Sequence, residues 1–167
     1  MKKLFKKTDG FTLLEMVLVI GILSVLSVIT IAAMDPLAQF QKANDAKVKS
    51  DLAQVQRALE SYYDDNGTYP PSSADYKIEN VFVANNPAIN WGASFTPYMN
   101  FLPVPPGSSK YVYYSQNGQA YFLYANLQRG ANDPQVCRGG SACTNVPNGV
   151  TCGGVCNYGV SSPNVNL

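Results

Sequence analysis

The stretch Gly10-Phe11-Thr12-Leu13-Leu14-Glu15 decides the fold, because it opens an apolar run, residues 11–34, whose one charge is Glu15. A helix needs about 20 apolar residues to cross a bilayer, so the run is long enough to span. Lys2, Lys3, Lys6 and Lys7 come just before it. Basic residues on that side keep the N-terminus in the cytoplasm. An ordinary secretory signal has an apolar region of about 7–15 residues and a small-residue cleavage site. Ala32-Ala33 is a poor site, with Ile31 at the position that should be small, and a cut there would discard Glu15.

Glu15 makes the run more than an anchor. Related charges cost roughly 2.5–3.5 kcal/mol at the centre of a membrane helix, and less near its edge. The carboxylate can snorkel to the interface or find a partner. No basic residue lies one helical turn to either side, so a cationic partner has to come from outside the chain or from processing. A cut after Gly10 would create an amine on Phe11, four residues from Glu15. Two opposite charges about 4 Å apart at an effective dielectric near 20 attract by about 4 kcal/mol. Desolvation takes back part of that.

In its basic leader, Gly10, Phe11, Thr12-Leu13-Leu14-Glu15 and long apolar helix, the chain resembles the type IV pilin and type II secretion pseudopilin family. The resemblance implies a class III signal, cut between Gly10 and Phe11 by a membrane aspartyl protease, the prepilin peptidase. It also implies N-methylation of Phe11, and contact of Glu15 with the N-terminal amine of a neighbouring subunit during assembly. The implied fold is α+β, with a long N-terminal transmembrane-then-amphipathic helix packed on a small antiparallel β-sheet. The implied partners are further copies of the chain in a helical filament, the peptidase/N-methyltransferase, and a pilus assembly platform in the membrane. The implied location is the inner or cytoplasmic membrane for the precursor, then a cell-surface or extracellular filament. The stretch from Asp51-Leu52-Ala53 through Tyr62-Tyr63-Asp64-Asp65-Asn66-Gly67-Thr68-Tyr69-Pro70 is similar too, most of all to the major pseudopilin of type II secretion and to short pilins. The resemblance covers about residues 1–70 well and the rest in outline.

The length of 167 residues suits one domain plus the helix. Removing the leader takes four lysines and one aspartate from 12 basic and 11 acidic residues, leaving a net charge of −2. That is no nucleic-acid footprint, and Arg129 and Arg138 are the one basic hint in the tail. There is no histidine, which removes Ser-His-Asp and Cys-His catalysis and every histidine metal site. No glycine loop suited to phosphate is present. The expectation is a non-enzyme with no cofactor.

Four segments follow: a cleaved basic leader (1–10), the transmembrane helix (11–34), an amphipathic continuation of the same helix (35–66) and a globular β-rich domain (67–167). Gly21, Ser24 and Ser27 recur at spacings of three, which lets helices approach closely in lipid, although small residues are common in any membrane helix. Pro36 is expected to bend the helix without ending it; the family's proline in this neighbourhood comes somewhat earlier. Val48, Leu52, Val55, Leu59 and Tyr62 then mark one helical face, with Lys42, Asp45, Lys47, Lys49, Asp51, Arg57 and Glu60 filling the rest. Asn66-Gly67 stops the helix and Pro70-Pro71 prevents a restart. Asn66-Gly67-Thr68 is also formally a glycosylation sequon.

Residues 71–109 hold six prolines and read as loops, with a short strand at Val81-Phe82-Val83. Trp91, Phe95, Tyr98, Phe101 and Leu102 are expected to cover the helix. Asn117-Gly118 between Tyr111-Val112-Tyr113-Tyr114 and Ala120-Tyr121-Phe122-Leu123-Tyr124 is a hairpin signal, and two strands alone are marginal, so a third is expected. Cys137, Cys143, Cys152 and Cys156 read as two disulfides in a loop-rich tail. Nested pairing (Cys137–Cys156 with Cys143–Cys152) and sequential pairing (Cys137–Cys143 with Cys152–Cys156) are both sterically open. A four-cysteine zinc site is the alternative, its spacing right only in the last pair. The family's major pseudopilin carries a calcium site built on carboxylates near its C-terminus. Here the one carboxylate side chain after Asp75 and Glu79 is Asp133, so no metal site is assigned and the stapled tail looks more pilin-like. The leading reading is a structural subunit of a type IV pilus-like filament. Beside it stand a major pseudopilin-like subunit of a type II secretion system and, from another class, an uncleaved membrane-anchored surface binding module.

Overall fold

The computed structural model describes residues 10–85 and 87–167; the leader lysines lie outside the described residues. Helix α1, Leu13–Ala33, is apolar on every side and long enough by composition to cross a membrane over Leu13–Ala32, with none of it buried. Its three hydroxyls are satisfied within the helix. Ser24, Ser27 and Thr30 donate to the carbonyls of Ile20, Leu23 and Leu26, four residues earlier, at 2.7, 2.8 and 2.8 Å.

One helix bent at Pro36 was the expectation; two helices are found, with Met34 and Asp35 between them. Met34 N–H turns back to the Ile31 carbonyl at 3.2 Å, which tightens the last turn of α1. Asp35 has φ 42°, outside the helical region. Its carboxylate accepts the Ala38 N–H at 3.2 Å, so it acts as the N-cap of a new helix with Pro36 at the first position. Proline lacks the N–H that would continue α1 and disfavours helical geometry in the residue before it. The Asp-Pro pair therefore starts a helix here. Helix α2 runs Pro36–Asn66. The chain divides near Gln39 and Phe40 into an N-terminal unit and the compact unit Phe40–Leu167.

Helix α2 ends as the sequence implies. Gly67 has φ 70° and its N–H bonds to the Tyr63 carbonyl at 2.8 Å. The expected stripe is buried, with Leu52, Val55 and Leu59 wholly inaccessible. It packs on three antiparallel strands, β1 Val112–Tyr114, β2 Phe122–Ala125 and β3 Tyr158–Ser161, in the order β1-β2-β3. The α+β architecture is the one expected. Val112 pairs with Tyr124, and Tyr124 in turn with Gly159. Gly118, at φ 70°, lies in the β1–β2 connection, where its carbonyl accepts the Tyr69 N–H at 2.7 Å. The third strand comes after the cysteines, near the C-terminus.

Two loop expectations are corrected. Val81-Phe82-Val83 is a turn, because its neighbours Ile78 and Ile89 bond to each other across it (Ile89 N–H to Ile78 carbonyl, 2.7 Å). Phe101 does not cover the helix; it is 71% exposed, while Phe95 and Leu102 are buried and Trp91 and Tyr98 half-buried. Leu102 turns inward from the bend at Asn100-Phe101 and Phe101 outward.

Leu59→Ala is expected to destabilise the domain by about 3 kcal/mol, and Phe101→Ala to stay within about 0.5 kcal/mol. Urea denaturation of the full chain in detergent compares the two.

Candidate functional site

Gly10 and Phe11 are exposed and lie in non-helical chain immediately before α1. A protease needs an extended segment, and the next residue already begins the helical cap. Thr12 (φ −80°, ψ 152°) is the N-cap. Its hydroxyl accepts the Glu15 N–H at 3.2 Å, and Glu15 Oε2 accepts the Thr12 N–H at 3.1 Å. Glu15 thus has a partner inside the chain, which the search for a nearby cation missed. Thr-x-x-Glu ahead of an apolar run is the capping-box signature and was legible in Thr12-Leu13-Leu14-Glu15. The bonds offset desolvation without neutralising the charge. The other carboxylate oxygen has no hydrogen bond among the described residues.

In the compact unit, α2 is fixed by carboxylates as well as by apolar contact. Asp45 and Asp51 are buried, not part of a solvated face. Asp45 accepts the N–H groups of Gln128 and Arg129 at 2.7 and 2.9 Å. Asp51 accepts the Tyr111 hydroxyl at 2.6 Å and the Lys47 ammonium at 3.1 Å. Glu60 accepts the hydroxyls of Tyr69 and Tyr121 at 2.8 and 3.0 Å. Asp45 sits three residues before Val48 on the same stripe, so its burial is legible in the sequence. Burial first, and then the facing carboxylate, pushes the phenols of Tyr69, Tyr111 and Tyr121 above the ordinary tyrosine range. Burial does the same to Tyr113 and Tyr124.

The tail is stapled sequentially: Cys137–Cys143 and Cys152–Cys156, with Cα atoms 4.9 and 5.1 Å apart. The two small loops are laced together, Cys143 N–H donating to the Cys156 carbonyl at 2.9 Å. Lys110 N–H donates to the Cys152 carbonyl at 2.8 Å, and the Tyr124 hydroxyl to the Thr144 carbonyl at 2.8 Å. Cys143, Cys152 and Cys156 are buried against Val112 and Tyr124. Gly153 is required where it stands: it has φ 81°, and a Cβ there would lie 1.9 Å from the Ser108 carbonyl oxygen.

Asp133 faces a lysine. Lys49 Nζ is 2.5 Å from its carboxylate, and the Gln135 N–H donates to it at 2.9 Å. The Lys49 ammonium, chiefly, holds that carboxyl below the usual range. Among the described residues no three Cys, Asp or Glu side chains converge as a metal site. Arg129 lines a hollow of about 370 Å³ beside α2, and Arg138 is not among its lining residues. Asn66 serves the helix end, as the cap reading has it: its Nδ2 donates to the Tyr62 carbonyl and the Tyr98 hydroxyl, both at 2.8 Å. A cleft of about 530 Å³ lies between Trp91, Tyr76, Lys77, Lys110 and Val150. Its indole N–H is already given to the Tyr111 carbonyl at 2.9 Å.

A family model described as type II secretion system protein G matches residues 36–139, and one for the prokaryotic N-terminal methylation motif matches residues 5–31. The type II secretion system core protein G of Vibrio cholerae serotype O1 is 31% identical over 115 residues, covering 69% of this chain and 75% of that protein. Its namesake in Klebsiella pneumoniae is 34% identical over 119 residues, covering 68% and 81%. That of Pseudomonas aeruginosa is 26% identical over 133, covering 77% and 91%. No solved structure matches the chain. The first match runs well past residue 70, where the sequence resemblance weakens, and ends before three of the four cysteines.

Reduction is expected to add about four mass units and to cost about 2 kcal/mol per staple, the chain-entropy value for loops this short. Mass spectrometry and urea midpoints with and without reductant measure both. A phenol whose folded pKa is raised contributes stability that is complete below its unfolded pKa, about 10, and is lost as pH rises through the folded value. Urea midpoints should therefore fall from about pH 10 upward, with the tyrosinate absorbance of Tyr69, Tyr111, Tyr113, Tyr121 and Tyr124 appearing only on unfolding.

Proposed function

The chain belongs to the type II secretion system protein G family, and from that membership we propose that it is the pilin-like structural subunit of a secretion pseudopilus. The observation that carries the reading is a capped, wholly exposed apolar helix with Gly10-Phe11 in open chain directly ahead of it. The precursor sits in the membrane with its lysines on the cytoplasmic side. While those lysines remain, moving α1 outward means dragging four charges through lipid. Hydrolysis of the Gly10–Phe11 bond by a prepilin peptidase removes them and leaves an amine on Phe11, which is then methylated. Glu15 meets the amine of a neighbouring copy, setting the register of stacked α1 helices, while an assembly platform in the membrane adds subunits. The role is structural and involves no chemistry by this chain.

The stapled tail, most of which lies beyond the family match, favours a second reading: the same filament architecture serving as a type IV pilus. An uncleaved anchored module is the reading from a different class. Intact mass of the chain in sheared surface material and in membranes separates them. A species beginning at methylated Phe11 in filaments supports the subunit, and full-length protein found only in membranes overturns it. Loss of exported proteins on deletion selects the secretion pseudopilus over the pilus. Glu15→Leu is expected to lower filament yield by about tenfold or more while leaving membrane levels unchanged; normal assembly alongside wild-type subunits would remove Glu15 from the register role.

A further inference from the structure

Opposite charges without ion-pair contacts lie near the two ends of α2. Near its start, Lys42, Ala46 and Lys49 line one wall of the hollow of about 370 Å³, and Arg129, Asn132 and Asp133 line another. The two carboxylates in this hollow are spoken for. Asp45 is bound to two backbone N–H groups, and Asp133 to Lys49. The Lys42 ammonium and the Arg129 guanidinium form no ion pair among the described residues. They leave a concave surface on which two cations make no ion-pair contact, although Arg129 is near enough to help hold the Asp133 carboxyl down.

At the other end, Asp64 and Asp65 lie in the last turn of α2, exposed and without an ion pair among the described residues. No basic residue shares that turn. The carbonyl end of a helix is its negative end, so two carboxylates there are disfavoured unless a cation approaches. The chain cannot supply one from its own hollow. From Lys42 to Asp64 along α2 is about 33 Å at 1.5 Å per residue.

We propose that the Lys42–Arg129 hollow of one subunit receives Asp64 and Asp65 of a second copy, an inference that rests on the filament reading. The patch and its complement are different surfaces of the same molecule. The contact is therefore heterologous: each copy that is satisfied at one end presents an open end at the other, and the chain of contacts continues without closing. Complementary charge of this kind chiefly sets register and selects the partner.

Zero-length carbodiimide coupling of wild-type filaments tests the contact, since it joins an ammonium to a carboxylate only where they touch. The expected product is Lys42 joined to Asp64 or Asp65 in filaments and absent from detergent-dispersed monomer. Filaments in which Lys42 couples to other acids, or to none, overturn the contact and leave the filament reading standing. Absence of wild-type filaments overturns both. In a second arm, K42E/R129E and D64K/D65K are each expected to lower filament yield by about tenfold, with both disulfides intact by mass. Combining all four changes is expected to restore assembly. Failure of the combination, with both parents folded, overturns the pairing.

Discussion

The structure depends on an apolar helix that its own chain never buries. Each aliphatic side chain gains roughly 1.5–3 kcal/mol on leaving water. Summed over α1 this is tens of kcal/mol, well above the about 5–15 kcal/mol that holds an ordinary domain together. Among the described residues nothing covers it, so that cover has to come from elsewhere. Lipid provides it first, and in the proposed assembly the α1 helices of other copies provide it afterwards. The position of Glu15 follows from the same constraint. A carboxylate at the start of such a helix is tolerable because Thr12 gives it two local hydrogen bonds, and its charge is still available to an amine.

The compact unit solves a different problem. Three short strands need a helix to cover them, and α2 does so with a mixed face. Leu52, Val55 and Leu59 supply apolar contact, while Asp45, Asp51 and Glu60 fix position by accepting backbone and phenol donors. A purely apolar stripe would allow α2 to slide or turn on the sheet; directional bonds to Gln128, Tyr111 and Tyr121 do not. The tail contributes β3 but has few large apolar side chains, so the staples and the Lys49–Asp133 pair hold it where a core would otherwise have done so.

The junction at Asp35-Pro36 shows how one dipeptide can be read two ways. Proline within a helical pattern suggests a bend. Yet aspartate before proline is also the residue pair that begins a helix, and the carboxylate's bond to Ala38 N–H selects that outcome. Periodicity could not separate the two, because the apolar and amphipathic patterns run up to the junction from both sides.

By itself the sequence determined the apolar helix, the amphipathic stripe of α2, its stop at Gly67, the hairpin and the presence of two staples, because each depends on residue type at short spacing. Glu15's local partner was legible too, in Thr-x-x-Glu. Only the tertiary structure decided which cysteines pair, that β3 lies beyond them, that Asp51 is buried against Tyr111, and that Asn66 is bonded to Tyr98. The cysteine pairs, six and four residues apart, turn on which of several near thiols each one meets; the others join residues far apart in the chain or turn on which neighbour a polar atom meets. Spacing along the sequence carries no record of such contacts; they exist once burial has excluded water and left a polar group with only protein to bond to.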